Sequence, residues 1–87
     1  MATRESVENL VQNCEDVIRI AQEQYIEGSK QEHYNDEHFT QSQQLLESAI
    51  YEIQKMNDSC NGQQREQLAR MKMQLMQLQS DMSHLKH

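Results

Sequence analysis

The chain has 87 residues, 36% of them hydrophobic, and a formal net charge of −6. That length fits a single domain, residues 1–87, with only a modest core. No apolar run approaches the ~20 residues that span a bilayer, and the acidic balance speaks against general nucleic-acid binding.

The first segment places Val7, Val11, Cys14, Ile18, Ala21 and Tyr25 at intervals of 4, 3, 4, 3 and 4, a heptad seam. Leu10 and Val17 flank the seam and widen it into the stripe a bundle helix needs. Thr3 or Ser6 is the expected N-cap, and Glu5 and Glu8 suit the positive end of the helix dipole. Gly28 follows the last seam residue and is the expected stop, so the first helix is predicted over about 4–27.

The second segment carries Phe39, Leu46, Ala49, Ile53, Met56 and Cys60 on its seam, flanked by Leu45 and Ile50 and interrupted only by Ser42. Asn35 is the expected cap, with Asp36 and Glu37 in the first turn. Tyr34 and Phe39 then bracket the cap as a hydrophobic staple, over a helix of about 36–59. The third segment runs Leu68, Met71, Leu75, Leu78, Met82 and Leu85, over about 62–86. Asn61 and Gln64 have the spacing of a capping box, and Lys86 lies in the last turn, where a cation is favoured.

The break between segments two and three is firm. Cys60 and Leu68 are eight apart, which throws the seam out of phase, and Asp58-Ser59-Cys60-Asn61-Gly62 is turn chemistry. Between segments one and two the phase runs through Gly28, Glu32 and Asn35 without slipping, so a continuous helix is the alternative. Gly28-Ser29 and the Asn35 cap favour a break. Proline is absent, there are two glycines, and good helix formers dominate, so the fold class is all-α. The expected architecture is a three-helix antiparallel, up-down-up bundle with coiled-coil-like seams; the alternative is a long helical hairpin that dimerises into a four-helix bundle. Charge follows the same division: residues 1–27 and 35–60 each carry a net −4, and residues 61–87 a net +2, so the third helix is attracted to the first two.

Three stretches carry a family resemblance: Ala21-Gln-Glu-Gln-Tyr25, Glu27-Gly-Ser-Lys-Gln-Glu-His-Tyr-Asn-Asp36, and Gln63-Gln-Arg-Glu-Gln-Leu68. With them the chain resembles, over nearly its whole length, the small YtzC-like proteins of Bacillus-type bacteria. The connector at 27–36 is the most specific part. The resemblance implies a small cytoplasmic bacterial protein and carries over no activity and no functional residues.

The remaining signals bear on function. His33, His38, His84 and His87 gather at one end of an up-down-up bundle, together with Glu32, Asp36 and Glu37. Imidazole and carboxylate suit borderline divalent metals, so this end is a candidate metal- or pH-responsive site. The competing reading is that bundle ends are wet and collect polar residues; His33 and His38, five apart, do not share a helix face. Cys14 and Cys60 lie on seams as small hydrophobes and are expected to be free thiols. On the third helix, Ala69, Met73 and Met76 form a second apolar stripe outside the seam. Either the core stripe is wide there, or the stripe is an adaptable interaction surface, with Tyr34 of the connector as a further candidate. Ile20, Ile26 and Tyr51 also point away from their seams.

No phosphate loop, His-Glu-x-x-His motif or nucleophile elbow occurs, and no cofactor is expected. Arg65, Arg70, Lys72 and Lys86 are too few, and lack aromatic platforms, for a nucleic-acid face. The start has no apolar stretch of secretory type, so a cytoplasmic location is expected. The sequence thus predicts a non-enzymatic helical interaction protein, an adaptor or regulator. Its expected partner is another protein or a second copy of itself, with no nucleic acid and no membrane. The alternative is the metal- or pH-responsive module.

Overall fold

Each heptad segment becomes one α-helix in the computed structural model, which describes residues 3–30 and 36–85. The order is α1 (Arg4–Ser29), α2 (Asp36–Asn57) and α3 (Gly62–Ser83). Local chemistry explains most of the boundaries. Thr3 is the N-cap of α1, its Oγ1 accepting from the Ser6 amide at 3.0 Å. At α3 the capping box is complete: the Gln64 amide donates to Asn61 Oδ1 at 2.8 Å and the Asn61 amide to Gln64 Oε1 at 3.0 Å. Two otherwise orphaned helix-end donors are thereby satisfied. The expected Asn35 cap, the Tyr34 side of the staple and Lys86 lie outside the described residues.

Three helix ends differ from the sequence expectation. α2 stops at Asn57 because the chain turns there, with the Ser59 amide on the Met56 carbonyl and the Cys60 amide on the Asn57 carbonyl. Arg65 of α3 also donates from Nε to the Asn57 carbonyl at 3.0 Å. α3 ends at Ser83, where the His84 amide closes onto the Ser80 and Asp81 carbonyls. α1 runs through Gly28 to Ser29, with Lys30 as a right-handed C-cap. Gly28 is therefore a packing residue and not a stop. It is buried, and a Cβ built there would meet Leu85 Cδ1 and Phe39 Cε1, each at 3.1 Å. Glycine lets the end of α1 approach both neighbours closely.

That contact also fixes the direction of the helices. The end of α1 meets the start of α2 and the residues just after α3, so the chain runs up, down, up. Every helix packs on both others, and the bundle measures 46 × 18 × 15 Å. The hairpin alternative is set aside, because α1 ends at Ser29 and the chain reverses before Phe39. The core holds Val7, Cys14 and Ala21 of α1, Phe39, Leu46 and Ile53 of α2, and Leu68, Leu75 and Met82 of α3. Each fully buried leucine contributes about 1.5–3 kcal/mol relative to exposure. Ser42, the polar interruption of the second seam, is buried, and its hydroxyl donates to the His38 carbonyl at 2.9 Å. No buried side-chain nitrogen or oxygen among the described residues lacks a partner. No helix among them is long and apolar enough to cross a membrane.

Candidate functional site

α3 uses one side for the core and leaves its other side to solvent. Leu68, Leu75, Leu78 and Met82 are buried, and Met71 packs partly buried against them. Ala69 is exposed, and Met73 and Met76 are 71% and 49% exposed. The two methionines therefore do not belong to a wide core stripe. They sit on a ridge between two grooves. Met73 borders the α1–α3 groove with Ile18, Gln22 and Gln77; Met76 borders the α2–α3 groove with Gln43, Glu47 and Gln79.

The ridge extends beyond the three residues that the sequence singles out. Gly62, Glu66, Ala69, Met73, Met76, Ser80 and Ser83 follow one another at 4, 3, 4, 3, 4 and 3, and all are exposed. This is a second heptad seam on the outer face, and only Glu66 on it is charged. The spacing is present in the sequence. It escapes a search for apolar residues because glycine, glutamate and serine occupy four of its seven positions.

The other exposed apolar residues do not make a comparable surface. Ile20 and Ile26 of α1 are six residues apart, about 120° around the helix, and so face different directions. Tyr51 of α2 is partly covered by Lys55, whose Nζ lies 5.5 Å from the ring centroid. Single exposed hydrophobics of this kind are ordinary.

The histidine end forms only in part among the described residues. His38 and His84 are brought to the same end of the bundle, since Phe39 and Leu85 beside them both reach Gly28. His84 Nδ1 donates to the Ser80 carbonyl at 2.7 Å. His33 and His87, like Tyr34 and Glu32, lie outside the described residues. Among the described residues no three His, Cys, Asp or Glu side chains come together to hold a metal ion. Cys14 and Cys60 are buried free thiols. Burial pushes the Cys14 thiol up from 9.0 to about 11, with a smaller push from Glu15. The Cys60 thiol donates to the Met56 carbonyl at 3.2 Å. A buried thiol held in its protonated form is a poor nucleophile, so Cys14 serves packing.

Comparison with known proteins places this chain. A family model described as "Protein of unknown function (DUF2524)" matches residues 1–83. The chain belongs to that family. It is 48% identical over 82 residues to "Uncharacterized protein YtzC" of Bacillus subtilis (strain 168), which covers 94% of this chain and 91% of the relative. No solved structure matches. The match spans all three helices of this DUF2524 chain, in agreement with the family resemblance carried by the connector and by the glutamine-rich start of α3.

Charge adds what the stripe alone lacks. Arg65 and Lys72 directly precede the seam residues Glu66 and Met73, and Arg70 directly follows Ala69. On a helix these positions lie along the two edges of the outer seam. None of the three makes an ion pair among the described residues, whereas Arg4, Arg19 and Lys55 on the other helices each pair with a carboxylate of their own helix.

Proposed function

We propose that the protein is a non-enzymatic interaction module that works in the cytoplasm by helix-on-helix contact, with the outer face of α3 as its docking surface. The observation that carries this reading is the exposure of Met73 and Met76, 71% and 49%, on a helix whose other side already fills the core. Methionine is flexible and polarizable, and its use on exposed faces suits binding that adapts to the partner. Ala69 and Ser80 on the same line are small enough to let a second helix axis come close. Shape supports the reading as well, since the two grooves beside the ridge can receive the flanks of a docked helix.

Site-specific photo-crosslinking in living cells tests this reading. A photoreactive side chain replacing Met73 is expected to form a discrete covalent adduct with a second protein. The same side chain at Glu15, exposed on α1, is expected to form none. Identical adduct patterns from the two positions would overturn the reading.

A further inference from the structure

We infer that the outer face of α3 takes an acidic amphipathic helix of another protein, its apolar side on Ala69, Met73 and Met76 and its carboxylates on Arg65, Arg70 and Lys72. The inference rests on the docking role proposed above and adds the chemistry of the occupant.

The argument is one of charge. Within α1 and α2 the cations are satisfied internally: Arg4 Nε lies 3.1 Å from Glu8, Arg19 3.7 Å from Asp16, and Lys55 3.9 Å from Glu52. The three cations of α3 are not. Glu66 stands four residues before Arg70, a spacing that favours an ion pair on a helix, yet no such pair forms. Glu8, which lines the same α1–α3 groove as Arg70, is already engaged by Arg4. Arg65 uses Nε on the Asn57 carbonyl, which anchors the side chain and leaves its two terminal nitrogens for a carboxylate.

The positions matter as much as the count. In heptad terms Arg65 and Lys72 lie on one edge of the outer seam and Arg70 on the other. A partner helix with an apolar stripe and carboxylates on both edges meets cations on both sides. The cations lie in the first half of the seam; Gln77 and Gln79 edge the second half. The partner's acidic residues therefore concentrate toward the Gly62 end. Two copies packed α3 on α3 do not supply them to each other. Antiparallel α3-on-α3 packing would set Arg70 against Gln77 and Lys72 against Gln79, and parallel packing would set Arg65 against Arg70, cation against cation.

The test uses two synthetic three-heptad peptides with leucine at the seam positions. One carries glutamate at every edge position and the other carries lysine. Each is titrated into the full chain with methionine methyl groups labelled for NMR. The acidic peptide is expected to move the Met73 and Met76 signals and leave that of the fully buried Met82 in place. Its affinity is expected to fall about tenfold between low and high salt, as screened ion pairs require. The variant Arg70→Gln/Lys72→Gln should lose the preference for the acidic peptide while keeping its fold. Movement of Met73 and Met76 by the lysine peptide, equally or more, would overturn the acidic partner and leave the docking role standing. Silence with both peptides would overturn both. Movement with protein concentration alone would make the occupant a second copy and overturn the inference.

Discussion

The two seams of α3 obey the same spacing and meet different fates. The inner line, Leu68, Met71, Leu75, Leu78 and Met82, closes the bundle; the outer line, Ala69, Met73, Met76 and Ser80, stays in solvent. Period alone does not decide which line becomes core. Side-chain volume and the partners on α1 and α2 do. Leucine dominates the inner line, where a rigid branched side chain fills a defined space. Small residues and methionine occupy the outer line, where no fixed neighbour exists. One helix thus carries a surface that specifies the fold and a surface that does not.

The sharpest way to break this comparison is to truncate both lines. Leu75→Ala should cost about 2–5 kcal/mol in urea unfolding, because Leu75 is fully buried and its cavity cannot refill. A much smaller loss would mean that the inner line is not the closing contact.

The dryness of the inner side has its own signature. The folded Cys14 thiol ionises near 11, above its ordinary 9.0, so the unfolded chain loses that proton first. The stability due to the protonated thiol is complete below about pH 9 and drains away as pH rises through about 11. The full loss is on the order of 2–3 kcal/mol. Thermal unfolding between pH 8 and 11 should show a steeper fall for the wild type than for Cys14→Ala. Equal slopes would mean that water reaches Cys14.

Gly28 tests where the inner seams converge. Gly28→Ala gains about 1 kcal/mol of helix propensity, but its Cβ presses on Phe39 and Leu85. Phe39 is itself buried, so the crowding outweighs the gain and a net loss of about 1 kcal/mol is expected. Pairing it with Phe39→Leu should cost less than the sum of the two single changes. Strict additivity would show that the ring does not bear on Gly28.

The smallest effect belongs to the outer line. Met73→Gln/Met76→Gln should change unfolding free energy by no more than about 0.5 kcal/mol, since both side chains are exposed. A loss matching that of Leu75→Ala would erase the distinction between the two lines.

Much of the fold was legible in the sequence because its signals are local or periodic. The break at 58–62, the Asn61–Gln64 capping box and the seam residues that became core all follow from spacing and turn chemistry. Gly28 was misread because a glycine after a seam looks the same in sequence whether it ends a helix or admits a neighbour; the close approach of Phe39 and Leu85 is a tertiary fact. The candidate surface was half legible. Ala69, Met73 and Met76 stood out by apolarity, whereas the unpaired state of Arg70 and Lys72 depends on which carboxylates the bundle brings near, and Glu8 is held by Arg4. The histidine clustering depended on residues at chain ends and in the connector, where periodicity carries no information.

The most direct test of an unoccupied outer seam is molar mass by light scattering over a concentration series of reduced protein. The account predicts a monomer of 10.3 kDa throughout, its three inner seams satisfied within one chain. A stable dimer that reverts to monomer in Met73→Gln/Met76→Gln would contradict it, because the outer seam would then already be covered by a second copy.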